Sequence, residues 1–128
     1  MPDAPESPEP IRLADKLDQV TALWTPHRIA RFDGHQMVLA RVDGEFVWHQ
    51  HDGHDEVFLP LSGELWIDFE DAEARRVLPG EVLVVPAGTR HRPRTEGGEV
   101  TMLVIDPMDV RHTGEVTGER TVEEYPEI

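Results

Sequence analysis

His49 and His51 are separated by one residue, and Glu56 follows after four more. In a β-strand, side chains two apart project from the same face. The run Glu45 to Gln50 contains Phe46, Val47 and Trp48, all strand formers, so the two imidazoles are expected side by side on one strand. Asp52-Gly53 suits a turn that needs a positive φ. The chain then resumes as an extended run from Glu56 to Leu61, which can return Glu56 to the histidines. Two imidazoles and a carboxylate converging from one hairpin describe a metal site suited to Fe, Mn, Ni, Cu or Zn. A fourth ligand must come from elsewhere. The stretch from Gly80 to His91 offers one: an apolar strand, a turn at Pro86-Ala87-Gly88, and then His91 opening the next strand.

Strand alternation also indicates what else borders such a site. Val47 shares the face of His49 and His51, while Phe58 and Pro60 share that of Glu56, giving a mostly apolar substrate wall. Trp48 falls on the opposite face, as a core or interface aromatic. His54 and Asp55 lie in the loop before Glu56. His54 is a candidate catalytic general base at the pocket mouth. The competing reading makes it a solvated turn residue. Arg41 on an earlier strand, and Arg90, Arg92 and Arg94 around His91, could clamp a substrate carboxylate. Pairing with surface acids is the alternative for each.

The elements that must position these residues are short. Residues 1–10 contain four prolines and read as a disordered lead-in. In the segment 11–26, Leu13, Leu17, Val20 and Leu23 recur at helical spacing, predicting a short helix that ends before Thr25-Pro26 and lies against the sheet or a partner subunit. Residues 27–106 then alternate strands with turns. Strands are expected at 27–32, 36–42, 45–50, 56–61, 64–69, 75–78, 82–85, 91–94 and 100–105. Val82 to Val85 is wholly apolar, as in a strand covered on both sides. Residues 107–128 read as an extended acidic tail, with Val110, Val116, Val122 and Tyr125 as possible anchors.

With 128 residues the chain suits one domain. Its 11 prolines and 10 glycines favour a turn-rich β fold over a helical bundle. There is no cysteine, which excludes disulfides and thiolate ligands. The net charge of −14 arises from 12 basic and 26 acidic residues, and half of it lies in residues 1–10 and 115–128. Such a chain repels nucleic-acid phosphates and anionic lipid, so neither nucleic acid nor membrane is an expected partner. Neither a signal-peptide pattern nor a membrane-length apolar run is present, and a cytoplasmic location is expected.

The two candidate ligand stretches together resemble the paired motifs of the cupin superfamily. His49, His51, Glu56 and Gly63 fit its first motif, with Gly44 one residue closer to the histidines than usual. Gly80, Pro86, Gly88 and His91 match the second, with Thr95 at a position where asparagine is frequent. Trp24-x-Pro26, the run from Gly44 to His51, and His112-Thr-Gly with Glu119-Arg-Thr are similar to a group of small single-domain cupins often labelled mannose-6-phosphate isomerase-like. The resemblance implies an all-β double-stranded jelly roll over residues 27–106 and one divalent transition metal (Fe, Mn, Ni or Zn) on His49, His51, Glu56 and His91. Four protein ligands leave two positions for a small oxygen-bearing substrate. Dioxygenase- or isomerase-type chemistry is then expected, with a non-catalytic ligand-binding module as the alternative class. Small cupins commonly pair, so a homodimer is expected, with the helix stripe buried against the partner.

Overall fold

The computed structural model describes residues 7–108 and 124–128. Among these, one helix, α1 (Leu13–Leu17), precedes eight strands. They are β1 (His27–Phe32), β2 (His35–Val42), β3 (Glu56–Ser62), β4 (Leu65–Phe69), β5 (Arg75–Val77), β6 (Leu83–Val85), β7 (His91–Thr95) and β8 (Val100–Pro107). A five-stranded sheet, in the order β1-β2-β8-β3-β6, faces a three-stranded sheet in the order β5-β4-β7, and all the pairings are antiparallel. This is the jelly roll that the turn spacing and the family resemblance led us to expect.

The alternating side chains of both sheets meet in the interior. Ala40 and Val42 from β2, Phe58 from β3, Ile67 from β4 and Met102 from β8 belong to one buried cluster. Tyr125, near the chain end, is buried in the same cluster. The other tail anchors considered, Val110, Val116 and Val122, lie outside the described residues, as do residues 1–6. A second cluster forms on the outer face of the large sheet, where Leu39 and Leu103 are covered by Val20, Leu13 and Leu17. β8 is therefore buried on both faces, which explains its mostly apolar run, interrupted only by Thr101 before Asp106.

Three elements differ from the sequence expectation. The helix stops at Leu17 rather than continuing to Leu23. Arg41 holds this end of the helix and the chain just after it: its Nη2 donates to Leu17 O at 2.9 Å and its Nε to Val20 O at 2.6 Å. A cation that satisfies orphan C-terminal carbonyls makes a further turn unnecessary. The amphipathic stripe thus covers the chain's own sheet.

The segment 45–50 does not form a continuous strand. It meets β7 through isolated bridges, Glu45 with Arg94 and His49 with His91. Four residues on one side span three on the other, so a bulge interrupts the ladder.

β6 is an edge strand with one face open: Val84 is 51% exposed, and Val82 just before the strand is 58% exposed. An apolar run alone does not distinguish this arrangement from a strand covered twice.

Two turns follow their residue chemistry closely. Asp33 and Gly34 have φ of 45° and 75°, both left-handed, as a two-residue hairpin requires. Gly63 has φ 82°, and a Cβ there would meet Glu99 O at 2.5 Å and Val100 Cγ2 at 2.9 Å. Only glycine fits that approach.

Candidate metal centre

His49, His51, Glu56 and His91 are all buried, and one ligand atom from each lies within 4.8 Å of all the others. They do not come from a single hairpin. His49 and His51 sit on the bulged segment beside β7, His91 opens β7, and Glu56 opens β3 in the opposite sheet. The centre therefore lies between the two sheets. Backbone pairing holds the histidines together: His49 N–H donates to His91 O at 3.0 Å and His91 N–H to His49 O at 2.8 Å.

The loop from His51 to Glu56 is fastened to the turn at Pro86–Gly88. Ala87 N–H donates to Asp55 Oδ1 at 2.9 Å and Gly88 N–H to His51 O at 2.9 Å. At the other end of β7, Thr95 takes the place of the frequent asparagine and ties in Gly44. Its Oγ1 accepts from Gly44 N at 2.8 Å, and its N–H donates to Gly44 O at 3.0 Å. These bonds join the two ligand stretches along their length.

The ring orientations select the donor atoms. Nδ1 of His49 lies 2.9 Å from Val47 O, and Nδ1 of His91 lies 2.8 Å from Thr89 O. A carbonyl only accepts, so each Nδ1 carries the proton and each Nε2 presents a lone pair to the centre. Nε2 of His91 then faces Glu56 Oε1 at 3.4 Å, and Nε2 of His51 faces Glu56 Oε2 at 3.5 Å. His51 Nε2 is buried without a hydrogen-bond partner among the described residues. Acceptors converging in this way need a proton or a cation between them. Separations of 3.4–3.5 Å are ones that a coordination sphere with bonds of about 2.1 Å can span. The donor set fits a divalent transition ion.

The electrostatics agree. Burial, helped by the neighbouring His91, lowers the His49 pKa to about 4, so its ring stays neutral. Burial would also lower that of His51, but the Glu56 carboxylate outweighs it and the pKa rises. Glu56 is pulled well below the usual carboxylate range, because His51 and His91 overcome the cost of burying it.

Two residues that sequence reasoning missed stand behind Glu56. Gln36 pairs with Asp106 across β2 and β8, and the β3–β8 register brings Asp106 alongside Glu56. Gln36 Nε2 donates to Asp106 Oδ1 at 2.9 Å. Burial and the Glu56 carboxylate push the Asp106 pKa up to about 8. The available signal was an acid closing an otherwise apolar strand.

Beside the ligands lies a cavity of about 40 Å³ whose lining includes Trp24, Ala40, Phe46, Phe58, Met102 and Val104 together with His49 and Glu56. Phe58 stands where alternation placed it. Pro60 is buried but is not among the lining residues. Val47 packs against the core, and Phe46 takes the position expected for it, because the bulge shifts the facing of the segment. Trp24 stacks on Phe46 with ring centroids 4.9 Å apart. Arg41 points to the opposite face of β2, toward α1 and Glu99.

His54 packs against the His51 ring at 4.9 Å, outside the cavity lining, with its pKa lowered by burial and by His51. Trp48 lies under Arg92 on the outside of the small sheet. Arg92 and Arg94 both bind Asp68, and Arg90 pairs with Glu70 at 3.2 Å.

Residues 36–108 match the family model described as the cupin domain, and the chain belongs to that family. A cupin-2 domain containing protein of Shewanella frigidimarina is 37% identical with a TM-score of 0.73, covering 76% of this chain and 93% of its own. NMB1881 of Neisseria meningitidis is 32% identical with a TM-score of 0.70, covering 77% of this chain and 99% of its own. The uncharacterized protein YdbB of Bacillus subtilis is 40% identical over 76 residues, which make up 59% of this chain and 67% of YdbB.

Proposed function

We propose that this cupin is a mononuclear metal enzyme acting on a small oxygen-bearing organic molecule, with dioxygenase- or isomerase-type chemistry. The observation that carries this reading is the convergence of four buried ligand residues beside an apolar cavity that two of them, His49 and Glu56, help to line. A divalent ion there (Fe, Mn, Ni or Zn) supplies Lewis acidity to a bound oxygen and, if it is iron, activation of dioxygen. The chain's own part is positional. Val47 O and Thr89 O hold the His49 and His91 rings in one tautomer, and Phe46 and Phe58 give the cavity apolar walls. The test is oxygen consumption or product formation by iron-loaded protein given diketones, enediols and phenols. Turnover that disappears in Glu56→Ala supports the proposal, and binding without turnover of any of them overturns it.

The second reading is a non-catalytic metal-holding module that binds or senses a small ligand. One observation favours it: the cavity lining contains no titratable group other than the two ligands. Binding without turnover in the same experiment is its expected outcome.

We further propose a second copy of the chain as partner. The helix stripe is already covered by the chain's own sheet, so this rests instead on β6, an edge strand with Val84 exposed and Val82 exposed just before it. Light scattering at micromolar concentration should give twice the monomer mass, and Val84→Lys should lower it.

No helix among the described residues is long and apolar enough to cross a membrane.

A further inference from the structure

We propose that the cavity selects a chelator that binds through two oxygens, carries at most one negative charge and ends in a short hydrocarbon body, and that it rejects substrates with a second anionic group, such as sugar phosphates and dicarboxylates. The inference rests on the metal-centred reading above and adds its substrate class.

Size comes first. A cavity of about 40 Å³ has room for roughly three water-sized groups. A chelator anchored at the ligands can therefore extend a body of three or four heavy atoms among Ala40, Phe46, Phe58, Met102 and Val104.

Charge decides the rest. A divalent ion on one carboxylate and three neutral imidazoles retains one net positive charge, which a monoanionic chelator cancels. A second anion on the body that fills the cavity would be buried there, and no lysine or arginine is among its lining residues. The arginines that sequence spacing offered as clamps are committed elsewhere among the described residues. Arg41 holds Leu17 O, Val20 O and Glu99, Arg90 holds Glu70, and Arg92 and Arg94 hold Asp68. Burying an ion in apolar surroundings without a partner is strongly unfavourable.

Three hydroxamic acids and one sugar phosphate test this by calorimetric titration of the full-length cobalt-loaded protein. Butyrohydroxamate adds two methylenes to acetohydroxamate and should bind about tenfold more tightly. Succinohydroxamate has the same length but ends in a carboxylate, and it should bind at least about tenfold more weakly than butyrohydroxamate. Mannose 6-phosphate should give no binding heat at millimolar concentration. In Ala40→Val, whose added methyls project into the cavity, the ratio of butyro- to acetohydroxamate affinity should fall toward one.

Succinohydroxamate or mannose 6-phosphate binding as tightly as butyrohydroxamate overturns the inference. So does equal affinity for aceto- and butyrohydroxamate, and both results leave the metal centre standing. Failure of every hydroxamate to bind, or binding that is the same in metal-free protein, overturns the metal-centred reading itself.

Discussion

His51 and His54 lie three residues apart and their rings touch, yet the fold gives them different surroundings. The Nε2 of His51 is buried and aimed at Glu56, whereas His54 packs behind it and away from the cavity. His51→Ala should reduce metal content from about one equivalent per chain to well below half, because it leaves only three donors for the ion. His54→Ala should retain the wild-type content. Elemental analysis after identical metal loading checks both, and equal losses would assign His54 to the centre. Asp106 belongs to this scale too. Its carboxyl is placed beside Glu56 by the pairing of β3 with β8, so no spacing within the sequence indicates the contact.

The elements place the ligands through constraints that are strongest at their ends. Gly63 ends β3 under the backbone of Glu99 and carries φ 82°, so alanine there adds a steric clash to left-handed strain. Gly97 has a similar φ of 80° but nothing within 4 Å of its absent Cβ. Gly97→Ala should therefore cost about 1 kcal/mol, and Gly63→Ala at least about 3 kcal/mol, since backbone must move to admit the methyl. Urea denaturation midpoints compare the two, and equal costs would show that the close approach imposes no constraint. The bulge between Glu45 and His49 works in the same way. It breaks strict alternation, turning Phe46 into the cavity while both histidines still face Glu56.

For the whole molecule, a metal held at this cluster would compete with protons for one set of nitrogens. Histidines must be neutral to bind, so a metal lowers their apparent pKa below the unfolded value of about 6.5. The stability that the metal adds is then present above that pH and lost as pH falls. In the metal-free protein the His51 pKa is raised instead, so its pairing with Glu56 contributes fully below the unfolded pKa and is lost as pH rises through the folded one. Both effects shrink the holo–apo stability gap on acidification, by roughly 1.4 kcal/mol per pH unit where His51 takes up the proton, whereas His49, held neutral to about pH 4 without metal, adds nothing over this range. Thermal melts of both forms between pH 8 and 5 measure the gap. A constant gap would exclude histidine ligation.

Most of the strands, the tight turn at Asp33-Gly34 and the four residues of the buried cluster were legible in the sequence, because each depends on local spacing or on the backbone freedom of one residue. The family motifs carried the fold for the same reason: their glycines and prolines mark where the chain must turn. What lies across strands was not legible. The approach of Asp106 to Glu56, the replacement of Val47 by Phe46 in the cavity wall, the capture of Arg41 by the end of α1 and the open face of β6 all depend on which strands pair and in what register. Register is set by how all the apolar faces are buried together, and a one-residue bulge reverses the facing of every side chain beyond it. Only the tertiary structure decides that.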